Sequence, residues 1–401
     1  MADTKPMVGK EVLPGLKTVT AIGAVLAIAG LGGWFVQFSS DPKTGWQSYL
    51  FGFVLCAVLT LGCLALYLLQ NVTKGRWGHA LVRFWEAGAS LLPYLLVIAL
   101  PMFLVGYKYV YPWADPEKVE ADPALQAKQF VMTPGFTLAR VFIVFAIWLL
   151  FFLVLRSLSR KQDETGDPML ARARVNWAGP GAVFFTLATT IAVTDWVMSL
   201  EPHWYSTIFG LLFIVGSALT AMAMGTTFLA TVREREPYAS ALYERQWRDL
   251  GNLLLTLTIL WAYMSFSQYL IIWSGNLPEE IGYFVNRQEG IWQAVGTVLI
   301  FLHFLLPFFV FLSSLVKTQP QFLRAAAVYM LVVHFIDVMW MVLPSLHREG
   351  GVVVWSDFAA AAGLGGLWLI GFAWVLSKTP LIPTYDPHAD QVAASEAVEH
   401  A

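Results

Sequence analysis

An all-α polytopic membrane fold is what this sequence predicts, on three observations. Hydrophobic residues make up 57% of the chain and charged residues 13%, where soluble domains carry about 25% charge. Ten apolar runs recur along it, each about 20 residues or longer, the length a helix needs to cross a hydrocarbon core. The basic residues gather in alternate connections, as they do in cytoplasmic loops. Residues 1–377 therefore read as one integral membrane domain, and 378–401 as a polar, Pro-punctuated tail, extended or disordered in the cytoplasm. No basic block points to nucleic acid, so the expected surroundings are lipid.

The first run, 18–37, is followed by no small-residue cleavage site and reads as a retained span, not a signal peptide. The second, 48–70, holds both cysteines; Cys56 and Cys63 on one helix lie about 10 Å apart, too far for a disulfide. No CxxC exists to hold an iron–sulfur centre. The third, 86–108, opens at Glu86 and ends in an interfacial belt of Tyr107, Tyr109, Tyr111 and Trp113. A long acidic loop follows, to Pro134. The fourth, 136–158, contains Arg140 and leads into a charged, solvated loop (RSLSRKQDETGDPMLARAR). The fifth, 176–200, carries Asp195, with Glu201 and His203 just beyond it. The remaining runs are 207–230, 249–274, 290–316, 322–344 and 353–377. An even number of spans returns both ends to one side. Of the 25 Lys and Arg residues, Lys43, Lys108, Lys118, Lys128, Arg287 and Arg348 fall on the other side and Arg140 within the membrane. Both termini are thus expected in the cytoplasm.

The seventh run is the most informative. At about 100° per residue, Asp249, Asn252, Thr256, Tyr263, Ser267 and Ser274 fall within an arc of roughly 60°. Such a stripe is expected to face other helices or a wet cavity. It serves either as hydroxyl glue between helices or as a path for protons or a quinone headgroup. Ile259 and Leu260 interrupt it near mid-membrane.

Ionisable groups within spans point to function, because a charge at that depth is costly. His334 and Asp337 lie one turn apart on the ninth run, and His303 sits at nearly the same depth on the eighth. An imidazole beside a carboxylate can exchange a proton at small free-energy cost near neutral pH. His334, Asp337, His303 and Tyr263 are expected to form a mid-membrane station. Asp195, Glu201, His203, Asp357 and Arg140 would serve the outer side, and Asp249 and Ser267 the inner side. Each group alone can instead be a satisfied structural residue. Bis-imidazole haem ligation by His303 and His334 is a further use, opposed by bulky neighbours such as Phe304 and Phe335. No metal site is expected. A secondary transporter would show paired Gly/Pro breaks at midplane; Pro180, Gly181, Pro101 and Pro307 form no such pair. A purely structural scaffold stays open.

Four longer strings resemble a known family. DWVMSLEPHWYSTIFG (Asp195–Gly210), WAYMSFSQYLIIWSGNLPEE (Trp261–Glu280), VHFIDVMWMVLPS (Val333–Ser345) and the tail segment TPLIPTYDP are similar to the NrfD-like membrane subunits of the ActF type. Those are the quinone-binding subunit 2 of bacterial alternative complex III, a quinol:electron-acceptor oxidoreductase. The resemblance implies two four-helix bundles flanked by the first and last helices, in the bacterial inner membrane. It implies as partners a homologous NrfD-like membrane subunit, a periplasmic iron–sulfur subunit and haem c subunits. Haem c and iron–sulfur clusters would reside in those partners, with none bound by this chain, and quinone or quinol would be the mobile redox species. The role of proton-path residue carries over to Asp195, His303, His334 and Asp337; Asp357 rests on the reading of the residues alone.

Overall fold

Residues with capping side chains, followed by proline, set where several helices begin. Asp41, Thr133 and Asp167 accept backbone N–H groups from Lys43 at 3.0 Å, Phe136 at 3.3 Å and Met169 at 2.9 Å. A proline follows each at the first helical position, where its missing N–H costs nothing. These caps lie outside the apolar runs, so the helices extend beyond the limits that hydropathy marks.

The computed structural model describes residues 7–243, 245–288, 290–347 and 353–385. Ten of its helices are long and apolar enough to cross a membrane. They are α1 (Gly15–Ser40), α2 (Pro42–Thr73), α3 (Val82–Val110), α4 (Pro134–Thr165), α5 (Pro168–Leu200), α6 (Phe209–Val232), α7 (Gln246–Gly275), α8 (Gly290–Leu312), α9 (Pro320–Leu346) and α10 (Trp355–Lys378). Among the described residues there is no strand, only an isolated bridge between Val8 and Pro380. The chain is a multi-pass, all-α membrane protein. Most of the predicted tail, from residue 386 on, and Arg348 lie outside the described residues.

α2 and α6 form the centre, and their approach is close because Gly62 has no side chain: a Cβ there would lie 2.0 Å from the Ser217 carbonyl oxygen. α2 packs on α3, α5, α6 and α10, while α4 packs on α5. α6 packs on α7 and α9, and α8 on α7 and α9. α1 lies almost wholly against α10, backbone to backbone. A Cβ at Gly30 would come 2.3 Å from Gly363 N, and one at Gly366 would come 2.5 Å from Ala27 N, the small-residue contact that membrane helices favour. α3 and α8 each contain one π-helical turn, Met102–Gly106 and Ile300–Leu305.

The first and last described segments meet. Gly9 N–H donates to Thr379 O at 3.3 Å, and Leu381 N–H to Met7 O at 3.1 Å. Further along, Thr384 N–H donates to Asp163 Oδ1 at 3.1 Å. The start of the tail, through residue 385, is therefore tied to the helix ends. This is called the terminal end below, and the opposite one the far end.

Candidate functional site

Three helices bring their midpoints together. Trp261 of α7, His303 of α8, and His334 and Asp337 of α9 form one buried cluster. His303 Nε2 lies 3.2 Å from His334 Nδ1, and that same Nδ1 lies 3.4 Å from Asp337 Oδ2. Trp261 Nε1–H donates to Asp337 Oδ2 at 3.0 Å, and its ring lies 3.8 Å from the His303 ring, centroid to centroid. The fourth wall is Gly216 of α6, where a Cβ would stand 2.5 Å from His334 Cε1. Glycine at that position gives the imidazole its room.

Local backbone chemistry explains how His303 reaches the cluster. Pro307 has no N–H to donate to the carbonyl four residues back, which is that of His303. The helix widens into a π turn over Ile300–Leu305, and such turns re-aim side chains at functional sites. His303 is completely buried, and its Nδ1 has no hydrogen-bond partner.

His334 Nδ1 is chemically over-subscribed. A ring nitrogen carries either one proton or one lone pair. If it carries the proton, it can donate to Asp337 or to His303 Nε2, not to both. If it carries the lone pair, it repels an ionised Asp337. The pair of contacts thus has two alternative protonation patterns, and a proton on Nδ1 must choose between them. No haem fits here: the two ring nitrogens face each other at contact distance, and Trp261 covers His303.

Tyr263 and most of the α7 stripe are placed otherwise than expected. Tyr263 is 65% exposed on the outward face of α7, with Asn252, Thr256 and Ser274, and Ser267 is only half-buried. The face turned inward carries Thr258, Trp261 and Gln268. The mid-membrane aromatic partner is therefore Trp261. Asn252 accepts from Lys317 Nζ at 2.7 Å, and Asp249 accepts from the Tyr243 hydroxyl at 2.9 Å at the terminal end.

Asp195 and Arg140 form a bidentate ion pair between α5 and α4, with contacts of 2.6 and 2.9 Å. Arg140 also donates to Val131 O at 2.8 Å. Both side chains are engaged in this pair. Asp357 stands in a second buried cluster at the far end. It accepts from Ser48 at 2.7 Å, from Val354 N–H at 3.0 Å and lies 3.0 Å from His347 Nε2. His347 and Ser48 were not legible as site residues, since one follows the ninth apolar run and the other opens the second.

His203 Nε2 lies 2.7 Å from Asp122 Oδ2. With Glu201, Trp204, Gly282, Tyr283 and Asn286 it lines a far-end cavity of about 350 Å³. Trp204 and Tyr283 stack there at 3.9 Å. Burial raises the Tyr283 phenol above its usual value; the adjacent Arg287 guanidinium pulls it back, and the carboxylates of Asp337 and Glu201 add to the rise. Arg287 is itself buried, donating to Met341 O at 2.8 Å and to Tyr283 O at 3.0 Å. At the terminal end, Glu86 is buried among Arg83 at 2.5 Å and Arg156 at 3.2 Å, and Arg83 also pairs with Asp163.

Compared with known families and with curated proteins, the chain matches no family and no curated protein.

Proposed function

We propose that this chain is a proton-conducting membrane subunit of a quinol-oxidising respiratory complex of the alternative complex III type. The observation that carries the reading is His334 Nδ1, set between His303 Nε2 and Asp337 at mid-membrane. A rotation of the imidazole about its side-chain bonds aims that N–H at either neighbour without moving a helix, as a relay requires. His303 Nδ1, buried and unpartnered, is where the next donor must arrive. The sequence strings given above support membership in the complex. In it, a homologous NrfD-like subunit, a periplasmic iron–sulfur subunit and haem c subunits would carry the electrons taken from quinol.

The same resemblance is what supports grouping the helices as two four-helix bundles, α2–α5 and α6–α9, flanked by α1 and α10. The basic residues of the terminal end support a cytoplasmic placement of both termini, and the family resemblance supports a bacterial inner membrane.

Asp337→Asn, in the assembled complex, is expected to lower protons released per quinol by more than half while electron transfer keeps more than half its rate. Equal loss of both, or of neither, removes the relay. A structural-anchor reading draws on the Arg140–Asp195 pair, which is fully engaged in holding α4 to α5; an anchor would lose assembly in Asp337→Asn rather than coupling.

A further inference from the structure

We propose that His303 Nε2, His334 Nδ1 and one carboxylate oxygen of Asp337 form a binding site for a divalent cation of the zinc type. The inference uses the geometry of the proposed relay but does not depend on proton transfer through it.

Ligand spacing is the first argument. Tetrahedral zinc with bonds of about 2.0–2.1 Å holds neighbouring ligand atoms about 3.3 Å apart. The two measured edges, 3.2 and 3.4 Å, already have that length. All three ligand atoms lie within 4.8 Å of one another, so the third edge closes by a side-chain adjustment rather than a helix shift.

Chemistry is the second. Two imidazole nitrogens and a carboxylate are a standard zinc donor set with a fourth position open to water. A single proton cannot satisfy both contacts of His334 Nδ1, whereas a cation accepts all three lone pairs at once. Trp261 Nε1–H, holding the carboxylate at 3.0 Å, is the outer partner that orients a metal-binding acid. Gly216, having no side chain, leaves the His334 ring the room to stand beside the other two ligands.

The other His–carboxylate contacts lack this convergence. His203 and Asp122 are a lone pair of ligands, half-exposed on the histidine side. His347 and Asp357 are two ligands whose carboxylate is already taken by Ser48 and the start of α10.

Because the cation takes the lone pairs that the shared proton occupies, the two compete. Affinity should fall by about tenfold per pH unit for each proton displaced. The full chain, purified in detergent and stripped with a chelator, is titrated with cobalt(II) and with zinc. Expected are one equivalent bound and the intense visible absorption of four-coordinate cobalt, displaced by zinc. His303→Ala and Asp337→Asn should each weaken binding at least about tenfold, and Asp122→Asn should leave it unchanged. A wild-type protein that binds no stoichiometric cobalt, or binds it with the weak absorption of a six-coordinate ion, overturns the site without recourse to any variant. So does full affinity in His303→Ala. Cation uptake with proton release untouched by Asp337→Asn would leave this site standing and remove the relay; the reverse pattern would remove only the site.

Discussion

One ring nitrogen at the midpoint of α9 governs the chemistry available here. His334 Nδ1 has two partners and can satisfy one, so its position must be held to within tenths of an ångström. Gly216 holds it by having no side chain. Gly216→Ala would place a methyl 2.5 Å from His334 Cε1 and 3.0 Å from Nε2, and the ring, not the backbone, must give way. Overpacking of this kind costs about 1–3 kcal/mol. The expected outcome is a lowered thermal midpoint together with proton release reduced toward that of Asp337→Asn; unchanged proton release would show that ring placement is unimportant. His334 and Asp337 were legible because two costly groups one turn apart stand out in an apolar run. Trp261 and Gly216 were not, since a tryptophan and a glycine in a membrane helix are ordinary. Tyr263 misled for a physical reason: hydroxyls on a helix need no inward partner. Thr256 donates to its own helix at Asn252 O, 2.8 Å away, so a polar arc does not fix which way a helix faces.

At the scale of the element, α8 departs from regular geometry at His303. Pro307 denies the His303 carbonyl a partner, and the π turn over Ile300–Leu305 absorbs the defect while turning His303 inward. Pro307→Ala restores the N–H and lets the turn relax to α-helical spacing. That change rotates His303 by a fraction of a turn away from His334. Helix content and thermal stability are expected to hold or rise, while proton release per quinol falls. A variant with coupling intact would show that the widened turn is incidental. Proline was visible in the sequence, but whether it bends, breaks or widens a helix depends on the neighbours packed against that turn. The helix starts were equally hidden from hydropathy, because the caps at Asp41, Thr133 and Asp167 are polar and precede the apolar stretch.

Across the whole molecule, ten spans were readable because length and apolarity are properties of each segment alone. Which helix lies beside which was not, since neighbours are chosen by small-residue contacts such as Gly30 with Gly363 that leave no periodic trace. The pairing of residues 7–9 with 379–381 places both ends of the described chain together. Single cysteines introduced as Val8→Cys and Pro380→Cys, in a background lacking Cys56 and Cys63, are expected to resist an impermeant thiol reagent applied outside intact cells. Both should label after permeabilisation, and a double variant should cross-link on oxidation. Labelling of either from outside would reverse the proposed orientation.

The contact between α1 and α10 carries a consequence for biogenesis. The earliest of these helices to leave the ribosome docks on the latest, so α1 must wait in the bilayer, its small-residue face unmatched, until residue 378 or so has been synthesised. Its lipid-facing surface, with Ile28 at 77% exposure, suits that delay: the helix is at home in lipid before it has a neighbour. Ribosome-stalled chains that end before α10 would therefore leave that face of α1 uncovered, held to the rest only by its contact with α2, where Trp34 Nε1–H donates to Gly45 O at 2.7 Å.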